Sequence, residues 1–167
     1  MTTQRTYTIH TDGSCTNNGG PFAQAGWGAI LRNPEGVIRT LAGPVPRDQQ
    51  QTNSRAELMA IVEAVQLLAN PSIVELFTDS NYIAQSYNQY LDGWIAKRWK
   101  TRSGKPVAHS DLWEEIDRLR KLHQINVRWV KAHAGHLDNE TADRLANAGR
   151  AGKRLDRRIK PAATTDS

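Results

Sequence analysis

The sequence predicts a single α/β domain, a mixed sheet with helices packed on it. Three strand-like segments fall within the first 42 residues, and helix-like and strand-like segments alternate afterwards, the order of such a layered fold. A chain of 167 residues suits one domain with its own core. Its 38% apolar and 23% charged residues make a globular composition, neither disordered nor fibrous.

Thr6 to Asp12 alternates, Tyr7, Ile9 and Thr11 against Thr8, His10 and Asp12, and reads as a strand. Gly13 to Ala25, rich in Gly and Asn, reads as a connection. Gly26 to Arg32 and Val37 to Ala42 read as two further strands turned at Asn33-Pro34-Glu35-Gly36, so the first three strands form an antiparallel meander. Gly43 to Gln51 is a loop. From Arg55 to Ala69, apolar residues recur at 58, 61, 62, 65, 68 and 69, the stripe of an amphipathic helix. Ile73 to Thr78 reads as a strand and Asn81 to about Arg98 as helix. Asp111 to His123 is a helix with Leu112, Ile116, Leu119 and Leu122 on its buried face. Ile125 to Val130 is the last strand and Glu140 to Arg150 the last helix. No internal repeat is visible.

No apolar run reaches the roughly 20 residues of a membrane-spanning helix, and Met1 to His10 lacks the apolar block of a signal peptide. A lone cysteine, Cys15, forms no intrachain disulfide and no Cys-rich zinc site, which fits a reducing compartment. The formal charge of +5 hints at a polyanionic partner, and its distribution says more. Lys97, Arg98, Lys100, Arg102 and Lys105 fall in one stretch with Trp94, Trp99 and Trp113 around them. Such a stretch either stacks on bases and neutralises phosphates or is a solvated face whose tryptophans serve the core. A second cluster, Lys153, Arg154, Arg157, Arg158 and Lys160, leads into a polar tail without apolar periodicity. The domain is therefore expected over residues 1–152 and a disordered tail over 153–167, either a solubilising terminus or a nucleic-acid contact.

Chemistry enters through an echo between two strands: one ends Thr11-Asp12-Gly13-Ser14, the other Thr78-Asp79-Ser80. A helical crossover between neighbouring strands makes them parallel and brings their carboxyl ends, with Asp12 and Asp79, to the edge where α/β folds bind ligands. Two such carboxylates need a proton or cation between them; alternatively each caps the turn that follows. Glu57 lies in the inward arc of its helix, near the angle of Ile61, Ala64 and Leu68, and there needs a partner or cation. Ser54-Arg55-Ala56-Glu57 also fits a capping box, and the residues alone leave both readings open. Downstream, His133 and His136 share a Gly-containing loop before the acid-rich helix start Asp138, Glu140 and Asp143, which suits either a mobile catalytic loop or plain exposure beside a helix N-terminus.

The stretches Thr11-Asp12-Gly13-Ser14-Cys15, Thr52-Asn53-Ser54-Arg55-Ala56-Glu57-Leu58, Thr78-Asp79-Ser80 and Val130-Lys131-Ala132-His133-Ala134-Gly135-His136, with Asn139-Glu140 and Asp143, closely resemble the type-1 ribonuclease H family in order and spacing. The resemblance implies a mixed five-stranded sheet, three antiparallel strands then two parallel, flanked by helices. It also implies an endonuclease that cuts the RNA strand of RNA–DNA hybrids with Mg²⁺, or Mn²⁺ as a substitute, two ions acting together and leaving 5′-phosphate and 3′-hydroxyl ends. By the same resemblance Asp12, Glu57, Asp79 and Asp143 are the carboxylate ligands and His133 the loop histidine. The test for the 2′-hydroxyl falls to Ser14, Asn53 and the backbone near Ala56, while the deoxy strand lies towards Ser54 and Trp94, with Thr52 near a phosphate.

This chain departs from the family pattern in places. Asn17-Asn18-Gly19-Gly20-Pro21-Phe22-Ala23-Gln24 replaces a shorter Gly-Asn-Pro-Gly loop, and Asn18 is the expected counterpart of its RNA-contacting asparagine. Ser54 and Ala56 stand where Asn and Met are frequent. The segment around Lys97, Arg98 and Lys100 is short for the basic protrusion of many bacterial members and reads as a trimmed substrate handle. The expectation is a cytoplasmic monomer that needs no protein partner and no membrane.

Overall fold

The computed structural model describes residues 4–161. Its elements follow the order β1 (Arg5–Thr16), β2 (Gln24–Arg32), β3 (Ile38–Pro44), α1 (Asn53–Val65), β4 (Ser72–Thr78), α2 (Asn81–Gln85), a π-helical turn (Ser86–Tyr90), α3 (Leu91–Ala96), α4 (Ser110–Leu122), β5 (Gln124–Trp129), α5 (Leu137–Arg150) and β6 (Leu155–Ile159). The strands form one sheet in the order β5-β4-β1-β2-β3-β6. β1 pairs parallel with β4 and β4 with β5, whereas β1–β2, β2–β3 and β3–β6 are antiparallel. The mixed α/β architecture is the one the sequence predicts.

A sixth strand corrects the predicted count of five. Leu155–Ile159, expected to be disordered tail, pairs with β3 from Ile38↔Ile159 to Ala42↔Leu155. The segment buries almost nothing of its own, so no hydrophobic period marks it. It is held by the ladder and by Arg39, whose Nε and Nη2 donate to the two oxygens of Asp156 at 2.8 and 2.7 Å. The rest of the expected tail, residues 162–167, lies outside the described residues.

The first strand is also longer than predicted, because Gly13 to Thr16 continue in antiparallel register with β2, Gly13 opposite Trp27 and Thr16 opposite Gln24. The loop between β1 and β2 is correspondingly shorter. In the predicted helix after residue 81, the π-helical turn separates α2 from α3. It aims two side chains at the edge strand β5: Tyr87 Oη donates to the Ile125 carbonyl at 2.9 Å and Asn88 Nδ2 to the Val127 carbonyl at 3.1 Å. These bonds occupy carbonyls that an edge strand otherwise presents to solvent.

Helices α1 and α5 lie on opposite faces of the sheet. Consecutive strand residues point to opposite faces. Gly13 abuts Ala56 and Glu57 of α1, while Gly26, opposite Ser14, and Gly28, opposite Asp12, abut α5. α1 is buried nearly all round, with Ala56, Leu58, Ala60, Ile61, Ala64 and Val65 at 3% exposure or less, because α4 covers the side turned from the sheet. Trp113 of α4 is fully buried and meets Trp94 edge-on at 5.6 Å between ring centroids.

Candidate active site

The parallel ladder between β1 and β4 closes at Thr11↔Thr78, so Asp12 and Asp79 are the next residues on neighbouring strands, as their sequence echo implies. Asp79 is fixed further by the Trp129 indole, whose Nε1 donates to the Asp79 carbonyl at 3.0 Å. Glu57 arrives from α1 across the end of the sheet. It gets there because residue 13 has no side chain: a Cβ at Gly13 would lie 2.6 Å from both the Glu57 Cγ and its backbone N. One carboxylate oxygen from each of Asp12, Glu57 and Asp79 falls within 4.8 Å of the others.

The two readings of Glu57 separate here. The N-cap of α1 is Thr52, not Ser54: the Thr52 hydroxyl accepts from Arg55 N at 3.1 Å. The Asn18 Oδ1 accepts from Asn53 N at 2.8 Å, which satisfies a second donor of the helix start. Glu57 therefore lies beyond the capping turn and its carboxylate faces Asp12 and Asp79. The Ser80 hydroxyl, which accepts from Ile83 N at 3.2 Å as the N-cap of α2, lies beside that carboxylate and favours its charged form.

α5 supplies the remaining groups. Asp143 is near enough to raise the pKa of both Asp12 and Asp79, but its oxygens are not part of the group that Asp12, Glu57 and Asp79 form within 4.8 Å. Asn139, only 3% exposed, lies beside the Asp79 carboxylate and favours its charged form, while its own Oδ1 has no partner. Residues 131–137 are exposed, with His133 at φ 54° and Gly135 at φ 83°, and the His133 charge acts on Asp79. His133 thus approaches the carboxylates from an open loop.

The electrostatics of this arrangement are unfavourable without a cation. Burial, followed by the charges of Asp79 and Glu57, drives the Asp12 carboxyl far above the ordinary range; the Gly13 N–H, donating at 2.8 Å, only partly offsets this. Burial likewise raises Asp79. Glu57 is pushed up to about 7, again chiefly by burial. All-oxygen donors with excess negative charge fit a hard divalent cation.

Burial of Asp12, Glu57 and Asp79 makes stability depend on pH. These carboxyls have folded-state pKa values above the unfolded ones, so their contribution to stability is complete below about pH 4 and is lost as pH rises through the folded values. Chelator-treated protein is expected to unfold at a lower temperature at pH 8 than at pH 5. Asp12→Asn should show a smaller drop, and adding Mg²⁺ at pH 8 should raise the wild-type midpoint. Identical pH profiles for the wild-type and Asp12→Asn proteins, measured by calorimetry, would contradict this electrostatic account.

The other sequence-predicted residues lie as follows. Ser14 is buried: its hydroxyl donates to Asn147 Oδ1 at 2.7 Å and accepts from Arg150 Nη1 at 2.9 Å. Asn53 is exposed and Ala56 fully buried at the start of α1, with Ser54 half-buried between them. Trp94 and Trp99 are partly buried against the core, which favours the structural role for the rings, while Lys97, Arg98 and Lys100 are exposed. Sequence reasoning missed Asn139 and Ser80 as supports of the carboxylates, although both stand within the motif stretches, and it missed Trp129 as an anchor.

A family model for RNase H matches residues 4–151. The chain belongs to the ribonuclease H family. Ribonuclease H of Rhodopseudomonas palustris (strain TIE-1) is 42% identical over 157 residues, spanning 94% of this chain and 97% of that protein. Ribonuclease HI of Caulobacter vibrioides is 45% identical over 142 residues, spanning 85% and 91% respectively. Among solved structures, LC9-RNase H1, a type 1 RNase H with the type 2 active-site motif, superposes with a TM-score of 0.80 at 26% identity, over 97% of this chain and 80% of that one. This ribonuclease H is of type 1, and its acidic cluster lies within the matched domain.

Proposed function

We propose that this ribonuclease H hydrolyses the RNA strand of RNA–DNA hybrids, leaving 5′-phosphate and 3′-hydroxyl ends, with two divalent cations, Mg²⁺ or in its place Mn²⁺. The observation that carries the reading is the convergence of Asp12, Glu57 and Asp79 at the sheet edge. Asp12, Glu57, Asp79 and Asp143 would hold the ions. When bound, such ions supply charge neutralisation at a phosphoryl oxygen and a water activated near neutral pH.

The protein's own groups do the positioning. Asn139 and the Trp129 indole orient Asp79, Ser80 orients Glu57, and the Gly13 N–H orients Asp12. In this reading Asn18, Asn53 and the Ala56 backbone serve the RNA strand, where a 2′-hydroxyl can be recognised, while Ser14, its hydroxyl committed to Asn147 and Arg150, supports that side from within. Thr52, Ser54 and Trp94 serve the deoxy strand in this reading, and Lys97, Arg98 and Lys100 neutralise phosphates of the hybrid. The protein works as a cytoplasmic monomer on this account; among the described residues no helix is long and apolar enough to cross a membrane.

His133 moves a proton or assists product departure from its exposed loop, work suited to an imidazole near neutral pH. His133→Ala is expected to slow turnover roughly 10- to 1000-fold, with hybrid affinity near normal. His136→Ala should matter much less. Single-turnover and steady-state rates measured side by side check this, and greater damage from His136→Ala would reverse the assignment.

Replacing Lys97, Arg98 and Lys100 together by Ala is expected to weaken hybrid binding and flatten its salt dependence, leaving turnover of bound hybrid nearly unchanged. Binding titrations across a salt series test it; an unchanged slope would make this cluster an idle solvated face. The reading as a whole is tested with a panel of hybrid, duplex RNA and duplex DNA. Cleavage confined to the RNA of the hybrid, with 5′-phosphate ends, is expected, whereas equal cutting of duplex RNA would overturn hybrid specificity.

A further inference from the structure

Most of the strongly held arginines have an acid beside them: Arg32 with Asp138 at 2.6 Å, Arg39 with Asp156 at 2.7 Å and Arg120 with Asp92 at 2.6 Å. Arg47, Arg150 and Arg154 differ. Among the described residues none of the three makes an ion pair, yet all three line one cavity of about 210 Å³ between the β3–α1 connection and the C-terminal end of α5. No residue lining that cavity is acidic. The acid that senses Arg154 at a distance is Glu63, on α1. Two of the guanidinium groups are held by neutral partners: Arg47 Nη1 donates to the Ala23 carbonyl at 3.0 Å and Arg150 Nη1 to the Ser14 hydroxyl at 2.9 Å. Each of these bonds uses one N–H of five and leaves the charge uncompensated.

A cavity lined by three arginines and no acid favours an anion, and planar forked guanidinium groups match phosphate oxygens. The bond from Arg150 to Ser14 relates the cavity to the carboxylates. Ser14 follows Asp12 by two residues on β1, on the same face, about 7 Å along the strand. A polynucleotide strand advances about 3.4 Å per nucleotide along its axis. Arg150, bonded to Ser14, therefore begins a basic surface about two nucleotides from the carboxylates.

We propose that the Arg47–Arg150–Arg154 cavity binds a phosphodiester of the cleaved strand about two nucleotides from the scissile bond. The proposal rests on hybrid cleavage as the function of the carboxylate site, and supplies a phosphate contact on the β2–β3 side, away from the Lys97–Lys100 stretch. It is a binding site: Arg150 also holds Ser14 and Arg47 also holds the Ala23 carbonyl, each with one N–H of its guanidinium.

The experiment compares wild type with the Arg47→Ala, Arg154→Ala double variant and with Arg150→Ala, using an RNA–DNA hybrid and Mg²⁺. The double variant is expected to raise KM about tenfold with kcat unchanged, and to lower the salt slope of binding by about one for each arginine removed. A single neutral methylphosphonate is then walked along the RNA strand and, separately, the DNA strand. In wild type one RNA position about two nucleotides from the cut should carry a KM penalty that the double variant no longer shows. Unchanged KM and salt slope overturn the proposal, as does an equal penalty in both proteins or a sensitive position only on the DNA strand. If Arg150→Ala unfolds, the double variant, which disturbs neither Ser14 nor α5, still decides. A wild type that cuts no hybrid overturns the functional reading and the cavity with it; a cutting wild type with an unaffected variant overturns the cavity alone.

Discussion

Asp12→Asn is expected to abolish cleavage, by about a thousandfold or more, while hybrid affinity stays near that of wild type. The amide keeps the shape of the carboxylate and can still accept the Gly13 N–H, which Asp12 Oδ1 receives at 2.8 Å. What it lacks is the charge at the centre of a cluster whose oxygens lie within 4.8 Å of one another. Transition-state charge stabilisation by such a site is worth several kcal/mol, and each 1.36 kcal/mol is about tenfold in rate. Asp79→Asn should behave the same way. Hybrid affinity survives because exposed cations such as Lys97 and Arg98 lie elsewhere. The check is a pairing of single-turnover rates with equilibrium binding; substantial Mg²⁺-dependent cutting by either variant would remove these residues from the metal site.

Gly26→Ala is expected to destabilise the protein by about 3 kcal/mol, which for a domain of this size lowers the unfolding midpoint by roughly 6–12 °C. A Cβ at this position would lie 1.9 Å from Arg150 N and 2.3 Å from the Gly149 carbonyl carbon. Both are backbone atoms of α5, so no side-chain rotation relieves the clash and helix and sheet must separate. That separation would also shift Asp143, carried by the same helix, so cleavage should fall even where the variant remains folded. Thermal unfolding with and without Mg²⁺ measures both consequences. A midpoint within 2 °C of wild type, on the order of half a kcal/mol, would show that α5 accommodates the methyl cheaply.

The meander, the parallel β1–β4 pair and the helices after residue 53 were legible because each has an apolar period of its own. Tyr7, Ile9 and Thr11 mark β1, and Leu58, Ile61, Val62 and Val65 mark α1. β6 was hidden because Asp156, Arg157 and Arg158 follow no such period; its order comes from β3, more than a hundred residues earlier in the chain. The pairing of Asp12 with Asp79 could be read from matching strand ends, since parallel neighbours bring like ends together. Glu57 could not be resolved locally, because a capping box and a ligand share the same spacing. Only the position of the cap at Thr52 separates them. Asn139 carried no signal of burial or partner in an acid-rich helix start, and its approach to Asp79 exists only once α5 is docked. The Arg47, Arg150 and Arg154 cavity was equally invisible, because its members stand on separate segments and converge only in the fold.

The most direct test of metal-dependent hybrid cleavage is an assay with chelator-stripped protein and a hybrid labelled on each strand in turn, followed as Mg²⁺ is returned. No cutting before addition is expected, then cutting of the RNA strand that grows with Mg²⁺, with the DNA strand intact throughout. Undiminished RNA cleavage in excess chelator would contradict it, as would cutting of the DNA strand at a comparable rate.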